Sequence, residues 1–148
     1  MNPNMKFAGL RTRILAMTYE AILVTGLLVI ATALFIAIFG DSREQPLRAA
    51  LQLYLLLIAG IYLVWSWTGE RRTLPMRTWR MRLVDRRGHC PNLRRAIIRY
   101  LVAVLGIAAC GVGLLWALID SERQFLHDRI AGTRLALDAD ANAAQASK

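Results

Sequence analysis

Glu20 sits inside a long apolar stretch, seven residues after Arg13. A carboxylate in that setting is costly unless it is paired or neutral. It therefore points to one of two chemistries. It could be an ion pair that fixes one helix against another, or a site that takes up a proton or a cation. Arg13 shares its helical face, but two turns separate the pair, too far for a relaxed contact. Another partner is expected, and Arg99 or the Arg94–Arg95 pair lies at a similar depth in another apolar stretch. A structural ion pair is the preferred reading. Further along, Asp120, His127 and Asp128 supply more ionisable groups. His127 and Asp128 are neighbours, so on a helix they point in different directions.

Other chemistry is poorly supported. No nucleophile has an accompanying base, no ligand cluster suits a metal, and no glycine-rich loop could cradle a phosphate. We therefore expect no enzyme, no cofactor and no metal site. Cys90 and Cys110 lie at different depths and are unsuited to a disulfide, and Cys110 reads as a small packing residue.

The elements that must position these groups are three apolar runs, Ile14–Phe39, Ala49–Trp67 and Ala96–Ile119, within 148 residues of mean hydropathy +0.38. Each is about long enough to cross a bilayer core of roughly 30 Å. The expected fold is an all-α membrane protein with three transmembrane helices. An amphipathic basic segment would join the second and third, and a short amphipathic segment would follow the third. The first run is too long for a signal peptide and reads as a retained span. Residues 1–12 would form an N-terminal segment, 13–137 one transmembrane domain and 138–148 a flexible tail.

Net charge is +9, and ten arginines fall between Arg71 and Arg99. Basic clusters beside spans follow the positive-inside rule, so no nucleic-acid partner is needed. That rule places the N-terminus and the second connection in the cytoplasm. Tyr19, Trp65, Trp67 and Tyr100 would then sit at the cytoplasmic headgroup layer, and Trp116 at the opposite interface. A plain third crossing is expected because lipid does not tolerate exposed irregular backbone. The weighed alternative is a re-entrant hairpin permitted by Gly106, Gly111 and Gly113.

Arg99, Ala103, Gly106, Cys110, Gly113, Ala117 and Asp120 follow one another at steps of four and three, which puts them on one face of a continuous helix. Its small centre would suit close packing of another helix, as in a homo-oligomer. Thr18, Thr25 and Thr32 repeat every seven residues and should return their hydroxyls to the helix backbone. In the basic connection, Met76, Trp79 and Leu83 have helical spacing, whereas Trp79, Met81 and Leu83 alternate at strand spacing. Periodicity leaves both forms open for 74–85. Either could lie on the membrane, with Arg77, Arg80 and Arg82 on anionic lipid headgroups.

Four segments together resemble the RDD family of small bacterial membrane proteins. They are Arg13-Ile-Leu-Ala-Met-Thr-Tyr19-Glu20, Arg72-Thr-Leu-Pro-Met-Arg with Arg82-Leu-Val-Asp85, Leu93-Arg-Arg-Ala-Ile-Ile-Arg99-Tyr100, and Leu126-His-Asp128-Arg-Ile-Ala-Gly-Thr133. The likeness runs from about Leu10 to Leu137. Its naming residues would fall on Arg13, Glu20 and Asp128, with glutamate where the family has aspartate, and Pro75 stands where glycine is usual. The resemblance implies three spans in the bacterial cytoplasmic (inner) membrane and a role that is mostly undefined. Transport is suggested for the family, and some members resemble sodium/proton antiporters. The competing expectation is a non-catalytic membrane scaffold that binds a partner or lipid.

Overall fold

A computed structural model describes residues 8–40, 44–85, 87–109, 111, 113, 116, 120 and 124–137. Two long helices come first, α1 (Leu10–Phe39) and α2 (Leu47–Trp67). Both are long and apolar enough to cross a membrane. Only 11% and 6% of their most apolar windows are buried, the reverse of a core helix in a soluble protein. Leu15, Ile22, Val29 and Leu34 of α1, and Leu53, Leu57 and Ile61 of α2, all face outward. Thr18 bonds to the Ile14 carbonyl at 3.0 Å and Thr32 to that of Leu28 at 2.7 Å, as expected, whereas Thr25 makes no such bond among the described residues.

The connection after α2 settles the open choice for 74–85, and both forms occur in turn. A short helix, α3 (Leu74–Thr78), is capped by Thr73, whose hydroxyl oxygen accepts from the Met76 amide at 3.5 Å. Arg80, at φ +49°, then turns the chain into a strand, β1 (Met81–Asp85). The turn after β1 is organised by Asp85. Its Oδ1 accepts from the Arg87 and His89 amides at 2.7 and 3.0 Å, and its Oδ2 from Arg95 at 2.5 Å. Burial works to raise its pKa, but those donors outweigh burial and hold it below the usual carboxylate value.

Helix α4 (Leu93–Ala108) follows, with the Asn92 side chain capping it through the Arg95 amide at 3.0 Å. Tyr100 fixes α4 to α2. Its hydroxyl donates to the Leu56 carbonyl at 2.7 Å, and its ring lies where a Cβ on Gly60 would come within 3.0 Å. The described residues end with α5 (Leu126–Ala131), closed by Gly132 in the left-handed conformation, and β2 (Thr133–Leu137). β2 pairs antiparallel with β1, Met81 opposite Leu137 and Asp85 opposite Thr133. The Ala8 amide bonds to Leu135 on the other edge of β2 at 3.0 Å.

Several expectations need correction. The fold is not all-α, because β1 and β2 form a two-stranded sheet. The third apolar run is not one helix over 96–119. α4 stops at Ala108, Gly111 takes φ +77°, and the chain doubles back. A Cβ on Gly106 would come 3.1 Å from the Gly113 Cα, whereas seven residues span two turns on a straight helix. The stripe of small residues is therefore no single face. Gly106 and Gly113 meet each other, Ala103 is half-buried on α4, and Cys110 and Ala117 lie outside the described residues. The apolar side of 74–85 turns inward as well. Met76, Met81 and Leu83 pack with Trp67, Ala16, Ala96 and Leu135, and Trp79 borders them. Arg77 and Arg80 are exposed, but Arg82 is buried within β1 rather than at a surface. Trp67 is likewise covered by protein instead of facing outward.

These contacts gather at one end of the molecule, where α1 begins, α2 finishes and β1 pairs with β2. We call it the basic end, and the opposite end of the α1–α2 hairpin the distal end.

Candidate functional site

Arg99 on α4 is the centre of the basic end. It is 5% exposed, yet it carries a full charge on a helix whose other inward residues are Ala96 and Gly106. A buried charge needs a counter-ion and hydrogen bonds. Arg99 finds both in the C-terminal segment, where it forms an ion pair with Asp128 of α5 and donates to the Thr133 hydroxyl of β2 at 3.0 Å. The Thr133 hydroxyl in turn lies 3.3 Å from Asp128 Oδ1. The guanidinium also sits over the Trp67 ring, 4.7 Å from its centroid, adding a cation–π contact. Asp128 and Thr133 are 1% and 0% exposed, so this triad is closed to solvent.

The local fold explains why these groups meet. Gly132 ends α5 in the left-handed conformation, which turns the chain at once into β2. Asp128 on the first turn of α5 and Thr133, the first residue of β2, then reach the same guanidinium. His127 is also buried, stacked on Phe125 with centroids 5.6 Å apart, and its Nε2 lies 3.8 Å from Asp128 Oδ2. His127 and Asp128 are therefore both turned inward, although they are adjacent. Burial first, and the Arg99 charge second, push the His127 pKa down to about 2, so the imidazole is neutral and takes no part in an ion pair.

Glu20 lies on α1, half-buried against the same cluster. Its polar neighbours are the hydroxyls of Tyr62 on α2 and Thr73 ahead of α3, both set to donate to the carboxyl group, and the Arg99 charge acts on it from further away. Thr73 can donate because its oxygen already serves as the acceptor for the α3 cap. The Oε1 atom of Glu20 is buried with no hydrogen-bond partner, and among the described residues no basic side chain makes an ion pair with Glu20. Arg13, also on α1, is buried and lies in the fields of Arg99 and of Arg134 on β2.

Of the residues singled out from the sequence, Arg13, Glu20, Arg99, His127 and Asp128 are thus brought together. Asp120 is not. It pairs with Arg129 and caps the Gln124 amide at 3.0 Å. Four members escaped the sequence reading: Tyr62, Trp67, Thr73 and Thr133. Thr73 had a signal, an N-cap threonine two residues before proline, and Thr133 closes the Ala-Gly-Thr end of a quoted motif. Tyr62 and Trp67 gave none, because an aromatic at a span end is expected to face headgroups. Among the described residues no group of three or more His, Cys, Asp or Glu side chains could hold a metal.

Neither the curated proteins nor the solved structures contain a significant match to the chain. A family model does match, the RDD family, over residues 7–132. That range holds every member of the buried cluster but Thr133, the next residue on. With two outward-apolar helices and this match over most of its length, the chain is a membrane protein that belongs to the RDD family.

Proposed function

We propose that this protein moves ions across the bacterial cytoplasmic membrane, with Glu20 as the group that takes up a proton or a monovalent cation. One observation carries the reading. Glu20 is a carboxylate on a membrane helix whose Oε1 is buried without a partner, while the cation whose charge acts on it, Arg99, is already bound to Asp128. A carboxylate kept for structure alone would be expected to hold that cation itself. Tyr62 and Thr73 would supply oxygens beside the bound ion, and the fixed Arg99 charge would favour its release.

The same reading orients the molecule. α1 and α2 cross the membrane, the basic end lies in the cytoplasm under the positive-inside rule, and α4 enters and returns on that side. At about 24 Å, sixteen residues are too short for a full crossing. A pathway would be completed between copies in a homo-oligomer. No catalytic step is assigned, and residues 13–137 act as one domain.

The test is flux in liposomes containing the purified protein. Internal pH is followed after sodium or potassium gradients are imposed. The expected result is cation-dependent proton movement that Glu20→Gln abolishes while the protein stays folded and inserted, and that Tyr62→Phe reduces. No movement above empty liposomes, with insertion verified, would overturn the reading. It would select the second one, a non-catalytic membrane scaffold, which the closed Arg99–Asp128–Thr133 triad favours.

A further inference from the structure

The lipid-facing side of α2 has an order that transport does not require. Leu53, Leu57, Ile61 and Trp65 follow at four-residue steps, and they are 61%, 56%, 66% and 61% exposed. Four-residue steps form a continuous ridge along a helix. Over twelve residues it runs about 18 Å, close to the depth of one leaflet of the hydrocarbon core. At its foot the Arg71 guanidinium lies 3.8 Å from the centroid of the Trp65 ring. A guanidinium stacked on a ring is held flat, and its N–H groups point outward from its rim.

Among the described residues Arg71 makes no hydrogen bond and no ion pair, and Glu70, next to it and exposed, forms none with it. Arg77, Arg80 and Arg94, all exposed and at the same end, are likewise without a side-chain partner among the described residues. The stretch therefore combines an apolar strip of acyl-chain length, an aromatic at headgroup level, and a pre-oriented fork of donors in a positive field. We propose that Leu53, Leu57, Ile61, Trp65 and Arg71 form a binding site for an anionic phospholipid, its phosphate on Arg71 and one acyl chain along α2. Arginine suits a phosphate because its fork can donate two parallel hydrogen bonds. The surrounding arginines select a headgroup with net negative charge over a zwitterionic one. This site shares no residue with the Glu20 cluster and stands whether or not the protein carries ions.

The test is native mass spectrometry of the full chain in detergent, with phosphatidylglycerol and phosphatidylcholine of identical acyl chains added in equal amounts. Wild type should retain phosphatidylglycerol preferentially. Arg71→Gln should lower that retention roughly fivefold and leave phosphatidylcholine unchanged, as expected for the loss of one basic contact at the membrane surface. Trp65→Leu should lower it as well, by removing the platform. Arg48→Gln, at the distal end, should change nothing. An unaltered lipid preference in Arg71→Gln would overturn the proposal. So would equal competition by glycerol phosphate, which carries no acyl chain and would make the apolar strip irrelevant.

Discussion

The distal and basic ends of the molecule are built on opposite plans. At the distal end, α1 and α2 meet through rings and aliphatic side chains. Phe35 lies 5.4 Å from Tyr54 and 4.8 Å from Phe39, and Thr32 satisfies its hydroxyl within its own helix. Leucines and isoleucines point out, and among the described residues no buried ion pair ties the helices together there. At the basic end the interior is polar. Arg13, Arg99, Asp128 and Thr133 are all buried, and α1, α2, α4, α5 and β2 each place at least one group in this cluster. Apolar packing in lipid is forgiving because hydrocarbon surrounds it on all sides. A buried arginine is not, because it needs its one counter-ion. Specificity of packing is concentrated where the protein holds polar groups away from both water and lipid.

Substitutions can break this contrast. The largest effect is expected from Asp128→Ala, which leaves Arg99 buried with no counter-ion. A loss of about 3–5 kcal/mol is expected, read as a fall in melting temperature and folded yield in detergent. Replacing both partners with apolar residues, Arg99→Met with Asp128→Leu, should recover much of it. Next comes Gly106→Val. Its Cβ would press on the Gly113 backbone at 3.1 Å, and about 1–3 kcal/mol should be lost. Gly26→Val, where nothing lies within 4 Å of the added Cβ, should cost far less, and equal losses would mean that α4 does not double back.

The third effect is one of pH. His127 is held neutral down to about pH 2, while in the unfolded chain it protonates near 6.5. Its contribution is therefore fully present above pH 6.5 and falls as pH drops below it, by about 1.4 kcal/mol per unit. Melting at pH 7.5 and 5.0 should show a slope that His127→Gln flattens. The smallest effect is expected from Thr32→Val at the distal end, within about 0.5 kcal/mol. If Thr32→Val and Asp128→Ala prove equally costly, the two ends do not differ as described.

Hydropathy made the distal end legible in advance. A run such as Ile14–Phe39 has few alternatives to a membrane helix, and α1 covers it with one more turn at the start. The basic end was legible in its members but not in its geometry. Glu20 could be singled out because a charge inside an apolar run is expensive, and Arg13 and Asp128 through the family resemblance. Their meeting depends on the reversal after Ala108, and Ala96–Ile119 has the same composition whether straight or folded back. Gly106 and Gly113 carried the clue, but a spacing of seven also describes one face of a helix. Arg82 misled for a related reason. Alternation places it opposite Leu83 on a strand and suggests solvent, yet both faces of β1 are covered.

The pairing of β1 with β2 joins residues 56 positions apart, Met81 with Leu137. During synthesis β1 is made long before its partner, and Arg99 before Asp128. Until the last strand leaves the ribosome, the two long helices can already be in the membrane while the arginine beside them has no counter-ion. A chain cut short before residue 128 would carry both spans and an Arg99 without its Asp128 counter-ion. Such a product differs from the finished protein in one feature, a buried charge left unpaired, which is costly beside lipid.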